Sequence, residues 1–129
     1  MSQFLLIFVG GGLGSVTRFF LGKLVQQRAG TPSGFLIFPI GTLVVNVVAS
    51  LVLGFFIGMV EARSVSNPAW RALVAVGFCG GFSTFSTFSH DTLSLILGNR
   101  FAEASLNILL SVSLCLLATL GGLWLGKLI

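Results

Sequence analysis

The sequence predicts an all-α membrane protein with four transmembrane helices per subunit, the third of them broken near Gly80 to Ser83. Three observations carry that expectation. The 129 residues are 55% hydrophobic and only 8% charged, and a mean hydropathy of +1.07 lies far above soluble composition. A helix needs about 20 apolar residues to cross roughly 30 Å of hydrocarbon, and four such stretches nearly use up the chain. The segments between them, QQRAGTPSG, EARSVSNP and GNRFAE, collect the charges and helix breakers that connections require. Residues 1–129 therefore read as one membrane domain with no room for a soluble one.

Taken in order, the spans cover about residues 3–24, 35–60, 69–97 and 102–126. The first is interrupted by Arg18 and Lys23. It lacks the basic start and small-residue cleavage site of a removed signal peptide. Each span holds a glycine pair four residues apart: Gly10 and Gly14, Gly54 and Gly58, Gly77 and Gly81, Gly122 and Gly126. Small residues at that spacing let backbones approach in lipid, so the spans are expected to pack tightly. Four spans put both termini on one face, with Trp70 and Trp124 near it as interfacial aromatics.

The charges are balanced across the bilayer. Arg63, Arg71 and Lys127 fall on the face with the termini; Lys23, Arg28 and Arg100 fall on the other, with Arg18 just inside it. Orientation normally follows an excess of Lys and Arg on the cytoplasmic side. A chain without that excess is expected to insert both ways and to pair as an antiparallel, dual-topology homodimer about a twofold axis in the membrane plane. The same scatter of seven basic residues over four connections forms no patch for nucleic acid. Cys79 and Cys115 lie within spans and read as small buried side chains.

Span three carries the most specific pattern. In GFCGGFSTFSTFS, Phe82, Phe85 and Phe88 recur every third residue with hydroxyls between them. Glycines and hydroxyl residues are poor material for a continuous helix. Unwound backbone at membrane depth is tolerated where it is buried in protein or lines a cavity, and its freed carbonyls suit a hard cation. Residues four apart share a helix face. That rule gathers Thr42, Asn46 and Ser50 on span two and Asn107, Ser111, Cys115 and Thr119 on span four. These neutral stripes, with the rings and hydroxyls of span three, point to a path for an ion.

These segments resemble the Fluc family of bacterial fluoride channels, also called CrcB. The likeness rests on GGGLGSVTRFF (10–20), GTLVVN (41–46), GFCGGFSTFSTFS (77–89) and a last span ending in a glycine pair. It implies a dual-topology homodimer with two pores in the bacterial inner membrane, exporting fluoride passively to limit its toxicity. Phe85 and Phe88 then match the pore phenylalanines, and Asn46 the asparagine beside them. Asn107, Ser111 and Cys115 align with a polar track, and Thr42 is expected in the pore lining from its place on the span-two stripe. Arg18 matches a vestibule arginine that attracts anions. Gly80 and Ser83 match positions whose carbonyls hold a structural Na+ at the dimer centre. Cys115 replaces a more usual hydroxyl.

Two other classes compete. A small dual-topology, proton-coupled multidrug exporter needs a membrane-embedded carboxylate, for which Asp91, beside His90, is the candidate. A non-conducting assembly factor accounts for the glycine pairs but not for the phenylalanine and hydroxyl run. Catalysis has no support: Ser86, His90 and Asp91 form no recognisable catalytic motif, and adjacent His and Asp point to different helix faces.

Overall fold

The computed structural model describes residues 2–30, 38–64 and 67–129. Four apolar helical spans run through them, each long enough to cross a membrane: Gln3–Ala29, Ile40–Arg63, Pro68–Leu97 and Phe101–Lys127. The protein is a multi-pass membrane protein. Helix α1 (Gln3–Ala29) continues past the expected end at residue 24, so its last turns carry the polar Gln26, Gln27 and Arg28. It stops at Gly30, whose φ of 76° is one that a glycine adopts without strain. Helix α2 (Ile40–Arg63) follows Pro39 and ends at Ser64 in the left-handed region. The expected start of span two at residues 35–37 lies outside the described residues.

The third span is composite. Asn67 caps a short α3 (Pro68–Trp70) by accepting the Ala69 amide at 2.9 Å, with Pro68 at the first helical position. The chain then widens into a π-helical stretch, Arg71–Cys79, and closes with α4 (Gly80–Phe82). The break expected near Gly80 to Ser83 falls at the end of that window and one residue beyond it. Gly80 is still helical, whereas Ser83 and Thr84 are extended. Helix α5 (Phe85–Leu97) resumes after it. A turn with Asn99 at φ 59° leads into α6 (Phe101–Lys127).

The glycine pairs decide which helices meet. A Cβ on Gly10 or Gly14 would collide with the backbone of the third span at Leu73 and Phe78, and one on Gly81 with the backbone of Gly11. A Cβ on Gly54 or Gly58 would strike Thr119 or Leu123, and one on Gly122 or Gly126 would strike Leu51 or Phe55. In both pairs the contact numbers rise together along the two helices, so span one lies parallel to span three and span two parallel to span four. Consecutive spans are therefore antiparallel, which returns both termini to one face.

Between the two pairs sits a small core of Val45, Ala49 and Phe82, packed by Leu21, Val48 and Phe78. Phe78 and Phe82 contribute tilted rings 5.5 Å apart. Phe82, the first ring of the three-residue series, is thus a core residue, on the other side of the break from Phe85 and Phe88. At the end of the bundle that carries the C-terminus, Lys127 pairs with Glu61 at 2.9 Å, joining the ends of α6 and α2.

Candidate functional site

The break is held by hydrogen bonds from side chains on both sides of it. In a continuous helix the Thr84 amide would reach back to the Gly80 carbonyl, and the Thr87 amide to that of Ser83. Neither does so here. Thr84 N–H donates to Asn46 Oδ1 at 2.8 Å, and Asn46 Nδ2 donates to the Thr84 carbonyl at 3.2 Å. Thr87 N–H donates to Thr84 Oγ1 at 3.2 Å, making Thr84 the N-cap of α5. The Thr84 hydroxyl donates in turn to Thr87 Oγ1 at 3.0 Å. On the preceding side, Cys79 O accepts both the amide and the hydroxyl of Ser83, each at 3.0 Å.

Immediately after the break, Phe85 and Phe88 stand one turn apart with ring centroids separated by 5.5 Å. They border a groove of about 270 Å³ that is also lined by Asn46 and Ser50 of α2 and by Ser111, Val112 and Cys115 of α6. The groove opens at the surface of the single chain, where Phe85 is 79% exposed.

A second, larger cavity of about 810 Å³ lies beyond Thr84, toward the ends of α1 and α5. Among the described residues, Arg18, Lys23 and Arg100 line it together with the carboxylate of Asp91. Asp91 Oδ2 accepts from the Thr42 hydroxyl at 2.7 Å. Arg100 is paired with Glu103 at 3.2 Å. The balance of charge makes this cavity attractive to anions.

The residues singled out in the sequence therefore fall in three places. Phe85, Phe88, Asn46 and Ser111 line the groove, with Ser83 at its edge. Arg18 and Thr42 line the basic cavity. Asn107 lines neither: only 2% exposed, it donates to Thr92 Oγ1 at 2.9 Å and ties α6 to α5. Ser111 Oγ reaches Asn107 Oδ1 at 3.4 Å. Thr119, the last member of the span-four stripe, donates back to the Cys115 carbonyl of its own helix.

Gly80 borders open space, with nothing within 4 Å of where a Cβ would stand. Thr84 and Thr92 were not distinguished from the other hydroxyls of the run in the sequence. A hydroxyl residue directly before a helical run is an N-cap signal, but Ser83 and Ser86 satisfy it as Thr84 does, so the sequence does not single Thr84 out.

Four spans, a broken third helix, a groove of rings and neutral polar groups and a basic cavity define the class: a small multi-pass membrane protein. The CrcB-like protein, Camphor Resistance (CrcB) family model matches residues 5–123, and the chain belongs to that family. It is similar to the fluoride-specific ion channel FluC of Coxiella burnetii (strain Dugway 5J108-111), with 44% identity over 126 residues, covering 97% of this chain and 94% of that protein. The fluoride-specific ion channel FluC of Bacteroides fragilis (strain YCH46) is 42% identical over 127 residues, 98% of each chain. That of Sulfurihydrogenibium sp. (strain YO3AOP1) is 36% identical over the full length of both.

Proposed function

We propose that the chain is a fluoride-selective channel, working as an antiparallel, dual-topology homodimer in a bacterial plasma membrane and letting fluoride leave the cell down its gradient. The observation that carries this reading is the groove after the break, where two phenyl rings share a lining with Asn46, Ser50 and Ser111. Full-length similarity to proteins named as fluoride channels supports it.

Fluoride holds its water tightly, and removing that water is costly unless other donors replace it. Ring edges carry partial positive charge. The hydroxyl of Ser50 and the second Nδ2 hydrogen of Asn46 are donors on the groove, beside Ser111, whose hydroxyl hydrogen is given to Asn107 Oδ1. Each site is weak, which suits an ion that has to leave as well as enter. The basic cavity with Arg18 gathers anions at one end. A second copy of the chain would cover the exposed face of Phe85 and close the groove into a pore. No chemical step is involved, and the protein is not an enzyme.

The Na+ reading also suits this chain. The amides that would bond Gly80 O and Ser83 O in a continuous helix are committed to Asn46 and Thr84. The carbonyls of Gly80 and Ser83 are thereby available as hard oxygen donors. Two from each subunit would hold the ion, which would supply a fixed positive charge joining the two chains.

The exporter alternative is not favoured. Asp91 sits among basic residues with its carboxylate bonded by Thr42, and the relatives are named as channels. Fluoride efflux from liposomes holding the purified protein tests the proposal, beside chloride efflux and a Phe88→Ile variant. Fast fluoride loss without chloride loss, cut sharply in the variant, is expected. Absence of fluoride flux from folded wild-type protein refutes the channel.

A further inference from the structure

We infer that Asn46 is a positioning residue that clamps the break of the third span through the backbone of Thr84, setting both the junction between cavity and groove and the placement of Phe85 and Phe88. The inference rests on the channel reading above and deepens it.

A carboxamide presents one acceptor oxygen and a nitrogen with two hydrogens. Asn46 gives the oxygen and one hydrogen to a single residue, accepting Thr84 N–H at 2.8 Å and donating to Thr84 O at 3.2 Å. This is the pairing a neighbouring strand would offer. It holds Thr84 in its extended conformation (φ −148°, ψ 112°) rather than letting the helix run on.

Three consequences follow from that hold. Thr84 is 8% exposed, so without Asn46 its amide would be buried and unpaired unless it returned to the Gly80 carbonyl as helix. The clamp therefore keeps the Gly80 carbonyl free. It also fixes the oxygen that caps α5, and so the start of the helix bearing Phe85 and Phe88. Finally, among the described residues Thr84 is the one shared by the linings of the basic cavity and of the groove. An ion moving from one to the other passes the residue that Asn46 holds.

The test removes the bond from the other end. Replacing Thr84 by its α-hydroxy analogue turns the amide N–H into an ester oxygen and deletes the donor without touching the Asn46 side chain. Fluoride flux is measured for wild type, for this ester, for Asn46→Ala and for the two combined. The ester removes one of the two bonds, leaving Asn46 Nδ2 on the Thr84 carbonyl, and is expected to reduce flux, by no more than Asn46→Ala does, with the combination no worse than Asn46→Ala alone, as coupled sites behave.

An ester that conducts like wild type while Asn46→Ala does not would overturn the clamp and leave Asn46 as a direct donor to the ion. Reductions that multiply in the combination would overturn it too. Wild-type protein without flux would sink the channel reading instead, and is thereby told apart. Hydrogen exchange at the Thr84 amide gives a readout independent of conduction. Asn46→Ala is expected to speed it by about tenfold or more, or to keep it slow with a helical carbon chemical shift at Thr84 where the amide has returned to the Gly80 carbonyl; unchanged protection together with an extended Thr84 shift overturns the inference.

Discussion

Gly121 and Gly122 are neighbours on α6 with opposite surroundings, and changing each to alanine tests the packing scheme. A Cβ on Gly121 meets nothing within 4 Å. One on Gly122 would overlap the Leu51 carbonyl of α2 and stand 2.7 Å from the Phe55 amide nitrogen, where ordinary contact begins at 3.4 Å. These are backbone atoms and have no rotamer to escape into. The two helices have to part by about 0.7 Å or more, and a gap of that size forfeits roughly a quarter to a half of each affected dispersion contact.

Overpacking of this kind costs about 1 to 3 kcal/mol. Gly121→Ala, by contrast, gains about 0.5 to 1 kcal/mol from the lower backbone freedom of alanine. The same gain applies to Gly122→Ala and cancels in the comparison, so Gly122→Ala is expected to be less stable than Gly121→Ala by about 1 to 3 kcal/mol. Equilibrium unfolding in bicelles, with the two variants side by side, measures the difference. Equal stability, or a more stable Gly122→Ala, would refute the close backbone contact between α2 and α6.

Other substitutions bear on the site and its supports. Arg18→Gln is expected to lower fluoride flux several-fold at low ionic strength and much less near 1 M salt, where the screening length falls to about 3 Å; flux assayed over a salt series checks it. Asn107→Ala is expected to cost about 1 to 3 kcal/mol by breaking the buried bond to Thr92, measured by the same unfolding. Glu61→Gln, at a pair whose side chains are about half exposed, is expected to change stability by no more than about 1 kcal/mol, and a fluoride flux equal to wild type goes with it.

The four spans were legible because length and hydropathy are properties of each segment alone. The partners were not. A glycine pair announces that a backbone comes close, and every span has one, so nothing local matches Gly10 and Gly14 to span three rather than to span two. The break was legible to within a residue or two. Glycine content pointed to Gly80, but Gly81 has to remain helical to pack on Gly11, and the chain opens instead where Thr84 can cap the next helix.

The ring series read as three equivalent residues, yet the break turns Phe82 into the core and leaves Phe85 and Phe88 on the groove. Asn107 shared a stripe with Ser111 by helical spacing. Its place was settled by Thr92, on a different helix, which periodicity within α6 cannot reveal.

The two glycine-paired couples and α5 differ in how they are fastened. Backbone against backbone leaves no room for a lipid tail and offers nothing for water to replace, so those couples form a stiff frame. Helix α5 is joined to that frame by polar ties, from Thr84 to Asn46, Asp91 to Thr42 and Thr92 to Asn107, beside its one deeply buried apolar side chain among the described residues, Leu95. Such ties are exchangeable with any other donor or acceptor that reaches them. The part of the molecule that carries the phenyl rings is thus the part that answers to hydration, while the frame around it answers to little else than the loss of its glycines.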